Sequence, residues 1–188
     1  MDEDKLMRRR VCRMQLIALG MPAAAVVYAC VALLIVANQW GGFGKAGRNP
    51  WLSWVSVGFL ALQIVVVNVF PAKGTGSALQ KVAEGVWEPP RSRTVRRKNF
   101  TTDSERLLEI SQIEVLAYLA PLEGAAFLGC IAYLIDANSI ALLVTGTAIV
   151  LMLIRFPSNW RVCDWLERQT EKLAELRQGK EFLKQQDL

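Results

Sequence analysis

Residues 115–135 read VLAYLAPLEGAAFLGCIAYLI, an apolar run of 21 residues with one charge, Glu123, near its middle. A helix rises about 1.5 Å per residue and the hydrocarbon core of a bilayer is about 30 Å thick, so this run is long enough to cross it. Working outward, three more such runs appear. Leu16–Ala37 is 22 residues without a charge, Trp51–Phe70 is likewise uncharged, and a fourth run extends from Ile140 to about Phe156, interrupted only by Arg155. The pattern predicts an all-α integral membrane four-helix bundle with spans at about 14–37, 51–70, 113–135 and 139–156.

Composition supports lipid as the solvent. The chain has 188 residues, 53% of them apolar and 21% charged, and the two classes are segregated into blocks rather than mixed at helical or strand period. Histidine is absent, which removes the commonest metal ligand and the usual general base near neutral pH. Cys12, Cys30, Cys130 and Cys163 form no C-x-x-C pair, so neither a zinc nor a redox site is expected, and no cofactor. Cys30 and Cys130 read as packing residues; Cys12 and Cys163 flank spans, where reversible palmitoylation occurs. No G-x-S-x-G, Walker or H-E-x-x-H pattern is present, and no histidine stands ready to activate a hydroxyl or thiol, so an enzyme is not expected.

In chain order, residues 1–13 form a basic leader carrying Lys5, Arg8, Arg9, Arg10 and Arg13. The apolar run behind it exceeds the 7–15 residues of a signal-peptide core, so it reads as an uncleaved first helix. Pro22 and, in the third span, Pro121 predict kinks. Trp40, Trp51, Trp54, Trp160 and Trp165 mark membrane–water interfaces. Pro71 reads as the end of the second span, followed by a polar loop over 71–111 in which Ser77–Trp87 forms a short surface helix. The basic linker with Arg91, Arg93, Arg96, Arg97 and Lys98 reads either as a contact for anionic lipid or as a solvated topogenic loop. Thr102–Glu105 has the T-x-x-E form of a capping box and sets the start of the third helix near Asp103. Residues 157–188 form an amphipathic C-terminal helix with Val162, Leu166, Leu173 and Leu176 on one side. Gln169 fills the intervening position. The first half of this helix is expected in the headgroup layer, the second half in water and open to a partner helix.

Lysine and arginine set the orientation. The leader, the 71–111 loop and the tail together hold 20 of them, against two, Lys45 and Arg48, in the 38–50 loop. The positive-inside rule then places both termini in the cytoplasm, in a plasma (cell inner) membrane. It also accounts for the net charge of +5 without a nucleic-acid partner. CVALLIVAN at 30–38 matches CIAYLIDAN at 130–138 at six of nine positions, which suggests two hairpins related by a parallel duplication.

Depth along the spans suggests a polar layer. Glu123 lies about 12 Å from Val115, Gln63 about 10 Å from Phe70 and Thr147 about 13 Å from Phe156; Gln112 shares a helix face with Glu123. Ala120 and Gly124 form a small-xxx-small pair for close helix approach. An ionisable residue at such depth reads either as a hydrogen-bonding staple between helices or as a proton- or cation-carrying site. LAPLEGAAFLGCIAYLI is similar to the ion-binding helix of rotary ATP synthase ring proteolipids, and KVAEGVWEPP resembles that family's polar loop. The resemblance implies Glu123 as an ion carboxylate. The family's other helix is a glycine-repeat helix, whereas Trp51–Phe70 holds only Gly58. Two functions follow as expectations. One is an accessory, scaffold or complex subunit, meeting a protein partner through the 71–111 loop or the C-terminal helix, or forming a homo-oligomer. The other is transport coupled to Glu123.

Overall fold

A computed structural model describes residues 3–40, 50–87 and 102–186. These form α1 (Glu3–Trp40), α2 (Trp51–Ala83), α3 (Asp103–Asp136), α4 (Ser139–Ile154) and α5 (Asn159–Gln186), with no strand among the described residues. An apolar solvent satisfies no backbone group, so each apolar run must close its hydrogen bonds within itself, and a helix does that. α1, α2 and α3 are each long and apolar enough to cross a membrane, and α4 makes a fourth when it is counted together with α5, from which it is bent by 61°.

α3 is the axis: it packs against each of the other four helices. The interior consists mostly of small residues with a few large ones. Ala18, Ala25, Leu119, Leu122, Ala125 and Met152 fill one level, and Ala32, Val36, Cys130, Tyr133 and Ala141 fill another. The tightest contact joins α3 to α4. A Cβ on Gly129 would sit 2.4 Å from Thr145 Oγ1 and 2.9 Å from the Ala141 carbonyl, so only glycine lets these backbones approach. The Thr145 hydroxyl lies 3.2 Å from both the Ala126 and the Ala141 carbonyl oxygens and donates there. Without a hydrophobic drive between helices in lipid, such small-residue approach is what holds a hairpin together. The pair that makes it is not the predicted Ala120 and Gly124, both of which are exposed. Ala125 and Gly129 are the buried pair instead, each five positions further along the same helix.

The α3–α4 turn is equally specific. Ala137 ends α3 in the left-handed region, with φ 49° and its N–H on the Tyr133 carbonyl. The Asn138 side chain accepts from Ile140 N at 3.0 Å and caps α4. Asp136, 4% exposed, reaches the start of α2 and accepts from both Ser53 N (2.7 Å) and Ser53 Oγ (2.9 Å). Ser53 lies in the first turn of α2, where backbone N–H groups have no partner within the helix. A carboxylate there satisfies one and complements the helix dipole. Pro50, the residue before α2, has no side chain able to do so.

Two predicted boundaries move, and the C-terminal helix is placed differently. α2 does not stop at Pro71; it continues to Ala83 as one helix, absorbing most of the expected surface helix 77–87. Its extension is held by Thr75 donating to Glu114 at 3.1 Å and by Leu79 and Val82, both buried, with Val82 packed beside Ile110, Trp87 and Leu173. α4 ends at Ile154, short of the predicted 156. Phe156 precedes Pro157 and is steered out of the α region, and Arg155 has already left it, at φ −93° and ψ 11°. At 16 residues α4 spans about 24 Å. The first half of the C-terminal helix is packed: Val162, Leu166, Gln169 and Leu173 face the other helices, with Val162 against Val11 and Leu108 and Leu173 against Val82 and Ile110, whereas Leu176, the last residue of the predicted stripe, is exposed. Pro22 and Pro121, the predicted kinks, lie inside α1 and α3, which run through them as single elements.

Two outcomes follow, both read as thermal unfolding in detergent. Gly129→Ala should destabilise by about 1–3 kcal/mol through overpacking, while Gly124→Ala, where a Cβ meets nothing within 4 Å, should be neutral or gain up to about 1 kcal/mol from helix propensity. Asp136→Ala should cost about 1–3 kcal/mol by stranding the Ser53 donors, and it should cost measurably less in a Ser53→Ala background.

Candidate functional site

The expected mid-span layer does not close. Glu123, Gln63 and Gln112 are half-buried, Thr147 is exposed, and among the described residues no hydrogen bond or ion pair joins any of the four to another side chain. The hydroxyl that α4 turns inward is Thr145. At about 100° per residue the two threonines stand about 160° apart around the helix, so one faces α3 and the other faces away. Depth alone did not distinguish them.

The buried polar groups of the helical core are used locally. Thr145 serves the α3 and α4 carbonyls and lies 3.8 Å from Cys130 Sγ; Ser56 donates to the Ser53 carbonyl at 2.7 Å, and Asp136 holds Ser53. Tyr133 is the exception, with its buried hydroxyl unpartnered. Of the predicted interface anchors, Trp51, Trp54 and Trp160 are exposed, and Trp165 packs at the edge of the Ile110–Leu173 cluster. The Trp40 side chain and the basic residues Arg91, Arg93, Arg96, Arg97 and Lys98 lie outside the described residues. Cys130 is buried as expected, but Cys30 is exposed, as are Cys12 and Cys163.

Charge gathers at one end of the molecule, where the start of α1, the end of α2, the start of α3 and the whole of α5 meet. Arg10 pairs with Glu105 at 2.9 Å and Arg177 with Asp103 at 2.8 Å. The hydroxyl half of the predicted capping box is not made: Thr102 has the extended backbone of an N-cap, but its buried hydroxyl has no partner, and Glu105 pairs with Arg10. Gln15 ties α1 to the α4–α5 joint, donating at 3.0 Å to both the Pro157 carbonyl and Asn159 Oδ1.

Beneath that joint is a cavity of about 640 Å³, and its origin is the short α4. Because α4 stops at Ile154 and the chain turns, α5 crosses over α3 and leaves space between them. The floor is apolar, from Val67, Val115, Leu119 and Phe156, and the rim is cationic, from Arg155, Arg161, Arg168 and Lys172. Arg155 stacks over the Tyr118 ring at 4.9 Å. Arg161 donates to the Ile154 carbonyl, one of the acceptors left over at the end of α4, and Arg168 pairs with Asp164 one turn back. Gln169, 8% exposed, also lines the cavity, and its Oε1 has no hydrogen-bond partner. Sequence reasoning took Gln169 only as a flaw in an apolar stripe; the signal available was its position, midway between Leu166 and Leu173 on the inward face. No group of three or more Cys, Asp or Glu among the described residues is placed to hold a metal.

Comparison of this chain with protein-family models, with curated proteins and with solved structures finds no match.

Proposed function

We propose that this chain is a multi-pass protein of the plasma (cell inner) membrane with both termini in the cytoplasm, acting as an accessory or scaffold subunit of a larger assembly. The observation that carries this reading is the use of the polar groups. Among the described residues, Asp136 with Ser53 and Thr145 with the Ala126 carbonyl fasten one helix to another, and Ser56 bonds within its own helix to the Ser53 carbonyl. They do not line up as a relay across the molecule. A transporter needs polar groups that converge on a path and are left available to cargo.

The orientation is supported by the way the described helices sort their cations. Arg10 of the leader, Arg106 of the 71–111 segment and Arg177 of the tail meet at one end of the fold, through Glu105 and Asp103. The large apolar side chains that α1 leaves outward, among them Leu16, Val27 and Leu34, are suited to lipid or to a neighbouring subunit.

Transport through Glu123 is the second reading, and one observation favours it: a carboxylate in the middle of α3 that bonds to no other described residue. The two readings part on Glu123→Gln. For an accessory subunit, the protein purified in mild detergent from its native host should retain the same partner at the same stoichiometry after this substitution. Vesicles reconstituted with wild-type protein should also pass protons no faster than empty ones. Proton flux that depends on Glu123 would establish the transport reading instead.

The orientation has its own check. In a chain freed of its four cysteines, Arg97→Cys and Arg177→Cys should each react with a membrane-impermeant maleimide only when the cytoplasmic face is opened. Labelling from opposite faces would overturn the four-span arrangement.

A further inference from the structure

The cavity under the α4–α5 joint has a chemistry that the scaffold reading leaves unused. We propose that it is a binding site for an anionic phospholipid, with the phosphate headgroup held by the cationic rim and the start of the acyl chains lying on the apolar floor. The proposal rests on the membrane reading above.

Charge comes first. Four cations line the cavity, Arg155, Arg161, Arg168 and Lys172, against two carboxylates, Glu114 and Asp164. Both carboxylates are engaged, Glu114 by Thr75 at 3.1 Å and Asp164 by Arg168, so the surplus is positive. A guanidinium has five N–H donors. Arg161 spends one on the Ile154 carbonyl, and Arg155 turns its face to Tyr118, which leaves its edge donors for an acceptor. Arginine forks match phosphate oxygens in geometry as well as charge.

Shape and depth distinguish a lipid from a free anion. Val67, Val115 and Leu119 belong to the apolar stretches of α2 and α3 and Phe156 follows the end of α4, while the cations stand where those stretches end. Trp160, 73% exposed at the cavity edge, is a residue type that settles at the headgroup level. A soluble phosphate would occupy the rim and leave the floor wet. A volume of about 640 Å³ falls within the usual range for a small-molecule site.

Gln169 is the independent observation. A carboxamide more than nine-tenths buried on the cavity lining, with an unpartnered oxygen shut off from solvent, is costly as it stands. A headgroup supplies what is missing. Once the carboxamide turns toward the cavity, a headgroup hydroxyl or amine donates to Oε1, or the amide's own N–H donates to phosphate.

The test uses the full-length protein in a non-ionic detergent, with bound lipid counted by native mass spectrometry. Phosphatidylglycerol should bind as one molecule per chain at a concentration about tenfold or more below that needed for phosphatidylcholine of the same chain length. Arg155→Gln combined with Arg161→Gln should abolish that preference, and Gln169→Leu should weaken it several-fold. Lys172→Gln, at an exposed position, should also weaken it, and it keeps the test informative if the arginine pair disturbs folding. Removing the same charge at Arg8 and Arg9, exposed and not lining the cavity, should change nothing. Equal binding of the two lipids, or equal loss in the Arg8/Arg9 control, would mean diffuse attraction and no site. Displacement of the lipid by equimolar inorganic phosphate would mean a free-anion site and would overturn the lipid assignment. Alkaline carbonate extraction of wild-type membranes separates the two levels of failure. Release of the protein there defeats the membrane reading itself, whereas retention without lipid preference defeats only the site.

Discussion

The approach of α3 to α4 at Gly129 is the constraint from which the rest of the arrangement follows. A missing Cβ brings two backbones close enough for Thr145 to bond across them. Two helices so close need a short turn, and the turn is made by a left-handed Ala137 and an Asn138 cap. That turn fixes where Asp136 points, and Asp136 in turn holds the first turn of α2. A chain of short-range requirements thus docks three helices by van der Waals contact and satisfied polar groups, the contributions that remain where a solvent gives no hydrophobic drive between helices.

The same hairpin determines the charged end. α4 begins at a fixed turn and runs only 16 residues, so it stops before α3 does, and the chain must bend to continue. α5 then lies back across α3 and the extension of α2. The visible ion pairs at this end, Arg10–Glu105 and Arg177–Asp103, are partly exposed, and such pairs contribute about 0–1 kcal/mol each. Apolar contact does more here. Val11, Met14, Leu108 and Val162 form one buried cluster, and Val82, Trp87, Ile110 and Leu173 another. Most of the stripe on α5 that looked available for a partner helix, Val162, Leu166 and Leu173, is occupied by its own chain, and Leu176 is left exposed.

Long-range features were legible in the sequence, and facing was not. Apolar run length located α1, α2 and α3, and the T-x-x-E pattern located the start of α3 at Asp103 even though the Thr102 hydroxyl makes no capping bond. Run length is a one-dimensional property and survives any packing. The choice between Thr145 and Thr147, or between Ala120–Gly124 and Ala125–Gly129, depends on which face of a helix meets its neighbour. All-apolar segments carry little amphipathic signal to decide that. Pro71 misled for a related reason: proline penalises a helix locally, while the contacts that carry α2 on to Ala83 come from Glu114 on α3 and from residues such as Ile110 and Leu173 on other elements.

Where polar groups are satisfied and where they are not gives the molecule its functional geography. In the bundle interior, the serines, Thr145 and Asp136 have partners, and Glu123 sits on a half-exposed flank that none of them reaches. At the charged end the balance reverses. Gln169 and Thr102 bury atoms without partners, Arg10 keeps one nitrogen unpaired, and arginines rim an open volume. In the interior, Asp136, Ser53 and Thr145 join one helix to another, while at the charged end donors and acceptors stand unmet beside an apolar floor. Tyr133 apart, the buried unpartnered groups of the described residues are therefore gathered where α4 falls short and α5 turns back, a full helix length from the α3–α4 turn that fixes the fold.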